Sequence, residues 1–281
     1  MPNHSLLRLA SRMYNSPHLI TPEAFSIVLD YFDARNTGVA LIVPQGAVDN
    51  TREEDVPDHG LAVIPVVGSL SYKPVMTMCG EAGTSYQSLQ AKVEDAIDAG
   101  CTTIVLDVSS GGGEASHVFQ CAENIRQACD AAGVRLIAYA DVMACSAAYA
   151  LSVVADEVIV NPSAHVGSIG AVVALMDTSK AMEQAGIKRI FVTSGDAKVP
   201  FAEDGSFKPE FIEDIQKDVN TLNEEFAAFV SRYSGIDAQT IKGFQARTFN
   251  SKEALEAGLA NKIMTNKEFA QYVATLHKGA T

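Results

Sequence analysis

The chain holds 281 residues, 47% hydrophobic and 20% charged, with 21 lysines and arginines against 34 aspartates and glutamates for a net charge of −13. A chain this long buries about three quarters of its unfolded surface and needs no disulfide or metal to fold. Its acidity excludes nucleic acid and anionic membrane as main partners, because both call for a basic surface. Five cysteines with no CxxC pair predict reduced, mostly buried thiols in a cytoplasm. Arg8 and Arg12 interrupt the apolar patch of residues 1–14, unlike a signal peptide, and no run of about 18 uncharged apolar residues predicts a membrane span.

In chain order, Thr21-Pro22-Glu23-Ala24 predicts a helix start, a capping threonine with proline at the first helical position. Phe25, Val28, Leu29 and Phe32 then share one helix face. An apolar run at 39–43 leads into the acidic, Pro- and Gly-rich stretch 44–60, which has no face to bury and predicts a loop or linker. The expected division is an N-terminal helical segment and linker at 1–59 and a main domain at 60–281. From Leu61 the pattern alternates. Strands are predicted at 62–67, 102–108, 135–140, 158–160, 171–175 and 189–193, and helices at 86–99, 115–132, 147–155 and 209–233, the last long and amphipathic. Such alternation predicts an α/β fold, crossover units around a largely parallel sheet covered on both faces.

Polar residues interrupt apolar, glycine-rich surroundings in a few places. Ser109-Ser110-Gly111-Gly112-Gly113-Glu114 follows a predicted strand, where backbone N–H groups can hold an anion or a developing oxyanion. It is not a nucleotide fingerprint, having neither GxGxxG nor GxxxxGK[ST]. Ser146 sits among small residues (Ala144-Cys145-Ser146-Ala147-Ala148) just before a predicted buried helix, with room for a substrate backbone to approach. Val166-Gly167-Ser168-Ile169-Gly170 is a glycine-hinged turn with another hydroxyl, and Ser194-Gly195-Asp196-Ala197-Lys198 delivers one lysine from a turn. Singly, these read as a tight turn, a capping serine, a turn serine and a solvated lysine. Together they supply a nucleophile, a base, an orienting hydroxyl and an oxyanion turn on one sheet.

In these motifs the chain resembles the serine peptidases of signal peptide peptidase A type, which share the fold of the Clp protease and crotonase superfamily. Ser110-Gly111-Gly112-Gly113 matches that family's Ser-Pro-Gly-Gly turn, with Gly111 in place of proline. Ala144 to Tyr149 matches its nucleophile stretch with alanines where glycines are usual, Val166 to Gly170 matches unchanged, and Ser194 to Lys198 matches its Ser-Gly-x-x-Lys turn. The stretch 247–263 is similar to the family's tail. The segment Leu9 to Pro17 resembles the unanchored, phage-encoded branch, whose members process scaffold, portal or capsid proteins.

The resemblance implies peptide hydrolysis through an acyl-enzyme without cofactor or metal. Ser146 would attack, neutral Lys198 would take the proton, Ser168 would orient the lysine, and backbone N–H groups of Gly112, Gly113 and Ala147 would hold the oxyanion. It further implies protein substrates, a ring or dome of identical subunits to which helix 209–233 contributes, and a place in the cytoplasm or inside a prohead. A lysine base working near pH 7 to 8 must fall about three units from about 10.4, so Asp196, Glu203 and Asp204 are expected to point away from Lys198. Three other readings stand beside it. One is a Clp-like triad using His117 or His165 with Asp107, Asp141 or Asp156. Another is a crotonase-type acyl-CoA enzyme, and the third a capsid assembly factor that only binds.

Overall fold

The computed structural model describes residues 16–26, 29, 60–77 and 80–278. The β-branched run after Gly60 becomes β2 (Leu61–Ser71), reached in the sequence after a short β1 (His18–Ile20). Two-residue strands β3 (Met76–Thr77), β4 (Gly80–Glu81) and β5 (Thr84–Ser85) lead into α1 (Tyr86–Asp98), where Ser85 accepts a capping hydrogen bond from the Ser88 amide. Then come β6 (Thr103–Glu114), α2 (Val118–Ala132), β7 (Arg135–Cys145), α3 (Ala147–Ser152), β8 (Glu157–Val160) and β9 (His165–Gly167). The remainder is α4 (Ser179–Gln184), α5 (Pro209–Ser234), α6 (Ala238–Gly243), β10 (Thr248–Asn250), α7 (Ser251–Glu256), β11 (Lys262–Ile263) and α8 (Asn266–Lys278).

The main sheet runs β10-β9-β7-β6-β2-β5, with β8 between β7 and β11 and with β1 on β6. Strands β2, β6, β7, β8 and β9 pair in parallel, and antiparallel partners enter only through β1 and β10. This is the α/β class expected from the alternating pattern. Helices α1, α2 and α3 cover one face with a core that includes Leu89, Val93, Ile125, Leu106 and Tyr149, while α8 covers Val105, Ile137, Tyr139 and Ile159 on the other. Both faces of the central strands are therefore dry, which is why their sequences are continuous apolar runs. Cys101, Cys121, Cys129 and Cys145 are buried free thiols.

Tyr149 is fully buried, and its hydroxyl donates to the Leu259 carbonyl at 2.9 Å, tying α3 to the C-terminal part of the chain. Tyr149→Phe leaves that carbonyl without its partner. A loss of about 1–3 kcal/mol is expected, read as a lowered urea midpoint at unchanged slope.

Several expected elements differ. The glycine stretch is not a turn: β6 continues through Gly113 to Glu114, so α2 begins at Val118 instead of residue 115. The helix expected at 147–155 closes after Ser152. The strands expected at 171–175 and 189–193 are absent, although Val172 makes an isolated antiparallel bridge with His18. Their apolar composition reads as buried strand, but no neighbouring strand pairs with 189–193, where Ile190 is 80% and Val192 96% exposed. Thr21 does cap a helical turn, its Oγ1 accepting from the Ala24 amide at 3.3 Å, and Phe25 is buried. Val28, Phe32 and the stretches 39–43 and 44–59 lie outside the described residues, as does the segment 1–14.

Candidate active site

Strand β7 ends at Cys145, and the chain reverses at Ser146 into α3. Ser146 has φ 56° and ψ −119°, a conformation that costs an L-residue on the order of 1–3 kcal/mol. It makes no capping hydrogen bond and is wholly buried, with its Oγ 3.5 Å from the Gly170 carbonyl. The Ser146 amide donates to the Gly167 carbonyl at 2.7 Å, so the nucleophile turn is stitched to the Val-Gly-Ser-Ile-Gly turn. Ser168 is also buried and also sits at positive φ, 52°, with its amide donating to the Arg247 carbonyl at 3.0 Å. Two turns that the sequence separates by about twenty residues thus meet, each holding a serine in a strained backbone.

The glycines of β6 form the opposite wall. A Cβ built on Gly112, which has φ 103°, would lie 3.1 Å from the Ala147 amide nitrogen and 2.1 Å from the Leu19 carbonyl oxygen. One on Gly113 would lie 1.9 Å from the Leu70 carbonyl. The run is glycine because backbones of three other segments press against it. The Gly112 amide donates to the Ser110 Oγ at 3.1 Å, and that hydroxyl donates to the Gly68 carbonyl at 2.6 Å. Gly112 therefore abuts the Ala147 amide at the start of α3, Gly113 is pressed against Leu70 of β2, and the Gly112 amide is engaged by Ser110.

Lys198 is not brought in. It lies in a single exposed 3-10 turn, Asp196–Lys198, and its side chain makes no hydrogen bond or ion pair among the described residues, with Ser146 or with Asp196, Glu203 or Asp204. Asp204 instead accepts from Ser206, through its Oγ at 2.6 Å and its amide at 2.9 Å. The arm around the lysine exposes Ile187, Ile190, Phe191 and Val192. A row of stacked rings, Phe191, Phe201, Phe207 and Phe211, ties it to the start of α5.

The histidines stand elsewhere. His117 precedes α2, stacked on Tyr72 at 3.8 Å with its Nδ1 2.6 Å from the Ser116 Oγ, and His165 is exposed on β9. Neither hydrogen-bonds Ser146. Asp156 pairs with Arg126 at 3.2 Å and Asp141 accepts from Asn266 at 2.9 Å, both as structural ties. Burial, with the charge of Glu23 adding to it, pushes the Cys145 thiol up to about 12, so it holds no thiolate near neutral pH. Among the described residues no His, Cys, Asp and Glu cluster could hold a metal, and no helix is long and apolar enough to cross a membrane.

Sequence reasoning missed β1. Its signal was present: the apolar pair Leu19-Ile20 lies between Pro17 and Pro22, and a residue before proline is driven toward extended backbone.

The chain is 28% identical over 218 residues to the head-tail preconnector protein GP5 of Enterobacteria phage P21, covering 77% of this chain and 43% of that protein. It is 29% identical over 215 residues to the capsid assembly protease C of Escherichia phage lambda, covering 75% and 48%. The chain thus spans less than half the length of these curated relatives. A solved membrane-bound stomatin-specific protease aligns over 77% of this chain and 80% of its own, at a TM-score of 0.43 and 14% identity. Peptidase family S49 matches residues 128–280, a stretch that takes in the Ser146 turn, the Ser168 turn and Lys198. With more than half of the sequence matched, the chain belongs to peptidase family S49.

Proposed function

We propose that the chain is a serine endopeptidase in which Ser146 is the nucleophile and Lys198 the base. Ser168 would orient the lysine, the amides of Gly112, Gly113 and Ala147 would receive the oxyanion, Gly112 giving up its Ser110 partner to do so, and residues 60–281 would form the catalytic unit. The observation that carries this reading is Ser146 itself, held buried at φ 56° between a strand end and a helix, beside a glycine wall. Proteins spend stability on such backbone mainly where function over-determines it. Its substrates are proposed to be the scaffold, capsid or portal proteins of a phage or prophage, since similar chains carry the names capsid assembly protease and head-tail preconnector protein.

A lone chain leaves the dyad open, because Lys198 is exposed and Ser146 buried. The same arm leaves Ile187, Ile190, Phe191 and Val192 in water, at roughly 25 cal/mol for each Å² left uncovered. We assign that surface to a second copy of the chain. Docking would cover the apolar arm and carry the lysine amine out of water toward Ser146. Work is then done by the assembled protein, in the cytoplasm or within a prohead.

The test is covalent. A fluorophosphonate probe incubated with the assembled protein should label the peptide containing Ser146, as mapped by mass spectrometry, and Ser146→Ala should remain unlabelled. His117→Ala and His165→Ala should both retain labelling and hydrolysis of a denatured protein within about twofold. A label on another residue, or loss of activity in either histidine variant with the fold intact, would reject the serine and lysine assignment.

A further inference from the structure

Strand β1 lies where a peptidase would be expected to hold its substrate. Strand β7 pairs with β6 as far as Ser110 and Ala144, then turns away at Ser146. The edge of β6 that this departure uncovers, Gly112 to Glu114, is taken by His18–Ile20 in antiparallel register, Leu19 opposite Gly113. The other edge of β1 meets the segment that follows the Ser168 turn: the His18 amide donates to the Val172 carbonyl at 2.9 Å, and the Val172 amide to the His18 carbonyl at 3.0 Å. The Thr21 amide donates to the Gly111 carbonyl at 2.8 Å, closing the C-terminal end. An extended segment is therefore held on both sides by main-chain hydrogen bonds, which supply affinity, while the buried Leu19 and Ile20 side chains supply specificity.

Its placement beside the candidate chemistry is close. The Leu19 carbonyl and the Ala147 amide converge on the same point above Gly112, where the proposed oxyanion site lies. His18, Leu19 and Ile20 are all at least 95% buried, so nothing else can occupy this cleft while β1 is in it. Beyond Pro17 the cleft continues past Tyr72, Ala115 and Leu222, with about 520 Å³ of further space.

We propose that His18–Ile20 is an internal pseudosubstrate: it fills the substrate cleft of its own chain, and a protein substrate must displace it before reaching Ser146. The cleft accordingly selects extended segments carrying an adjacent pair of branched apolar residues, as Leu19 and Ile20 do. The inference rests on the peptidase reading above for the meaning of the cleft, but not for the existence of a peptide-binding groove.

Leu19→Asp puts a carboxylate where a fully buried leucine stands and should release the strand. In the full-length chain, this variant should label with fluorophosphonate at Ser146 at least tenfold faster than wild type. A fluorescent peptide of the sequence Ser-Pro-His-Leu-Ile-Thr-Pro should bind saturably to the double variant Leu19→Asp, Ser146→Ala, and the same peptide with aspartate for leucine should not. Should Leu19→Asp fail to fold, hydrogen exchange on the wild-type chain decides. With excess unlabelled peptide, exchange at the amides of His18, Leu19 and Ile20 should rise while Gly113 and Val172 stay protected. Unchanged exchange there, or a folded Leu19→Asp chain that labels no faster and binds no peptide, overturns the proposal and makes β1 a permanent strand. Peptide binding by the double variant, with no labelling or cleavage in any chain bearing Ser146, would keep the groove assignment and remove the peptidase one.

Discussion

Ser146→Ala is expected to reduce peptide hydrolysis by roughly 10⁴- to 10⁶-fold, the scale of removing the nucleophile from a serine peptidase, while leaving the fold intact. The two halves of this result have separate causes. The Ser146 Oγ makes one long contact, 3.5 Å to the Gly170 carbonyl, so its loss costs the structure little. The backbone is another matter, since alanine at φ 56° bears the same strain as serine. Ser146→Gly should therefore be equally inactive and yet more stable than wild type by about 1 kcal/mol or more, because glycine occupies positive φ without a Cβ penalty. Thermal or urea unfolding of the three chains, beside a cleavage assay on a denatured protein, reads both effects. A Ser146→Gly chain less stable than Ser146→Ala would show that the turn is not strained, and a hydrolytically active Ser146→Ala would remove the nucleophile assignment.

The parts of this architecture that were legible in the sequence are those where local pattern and tertiary demand agree. Residues 104–106 and 136–140 are apolar at every position because helices cover both faces of the sheet, and the run alone conveys that. The long helix at Pro209–Ser234 and the capping role of Thr21 follow from periodicity and from side-chain chemistry that act within one turn. The glycines were noticed but misread. A glycine-rich stretch between strand and helix suggests a loop, whereas Gly112 and Gly113 are glycine so that an extended strand can pass between Leu19 and Leu70. No local pattern records which backbone lies across the way. The same holds for 189–193: its composition is that of a buried strand, yet among the described residues nothing covers it. If a second copy does, the sequence was describing the assembled protein and the single chain shows only half of the burial it encodes. The candidate site was legible as four motifs, and what could not be read was their distance, since the Ser146 amide bonds the Gly167 carbonyl of the Ser168 turn while Lys198 stays apart.

That separation makes Lys198 the sharper test of mechanism. Lys198→Ala is expected to lower hydrolysis by about 10³- to 10⁴-fold, the upper range for loss of a general base, with the unfolding midpoint unchanged because the exposed side chain makes no bond among the described residues. Lys198→Arg should be no better. Arginine keeps the length and the positive charge but holds its proton under any condition the protein survives, so a base fails where a merely electrostatic or structural lysine would be replaced. If a second copy covers the arm and brings the lysine to Ser146, dilution should lower the specific activity as the assembly comes apart. Sedimentation velocity at the same concentrations reports whether the loss coincides with dissociation. Full activity from a species shown to be monomeric would mean that the arm closes on its own sheet and that the exposed Ile190 and Val192 serve another contact.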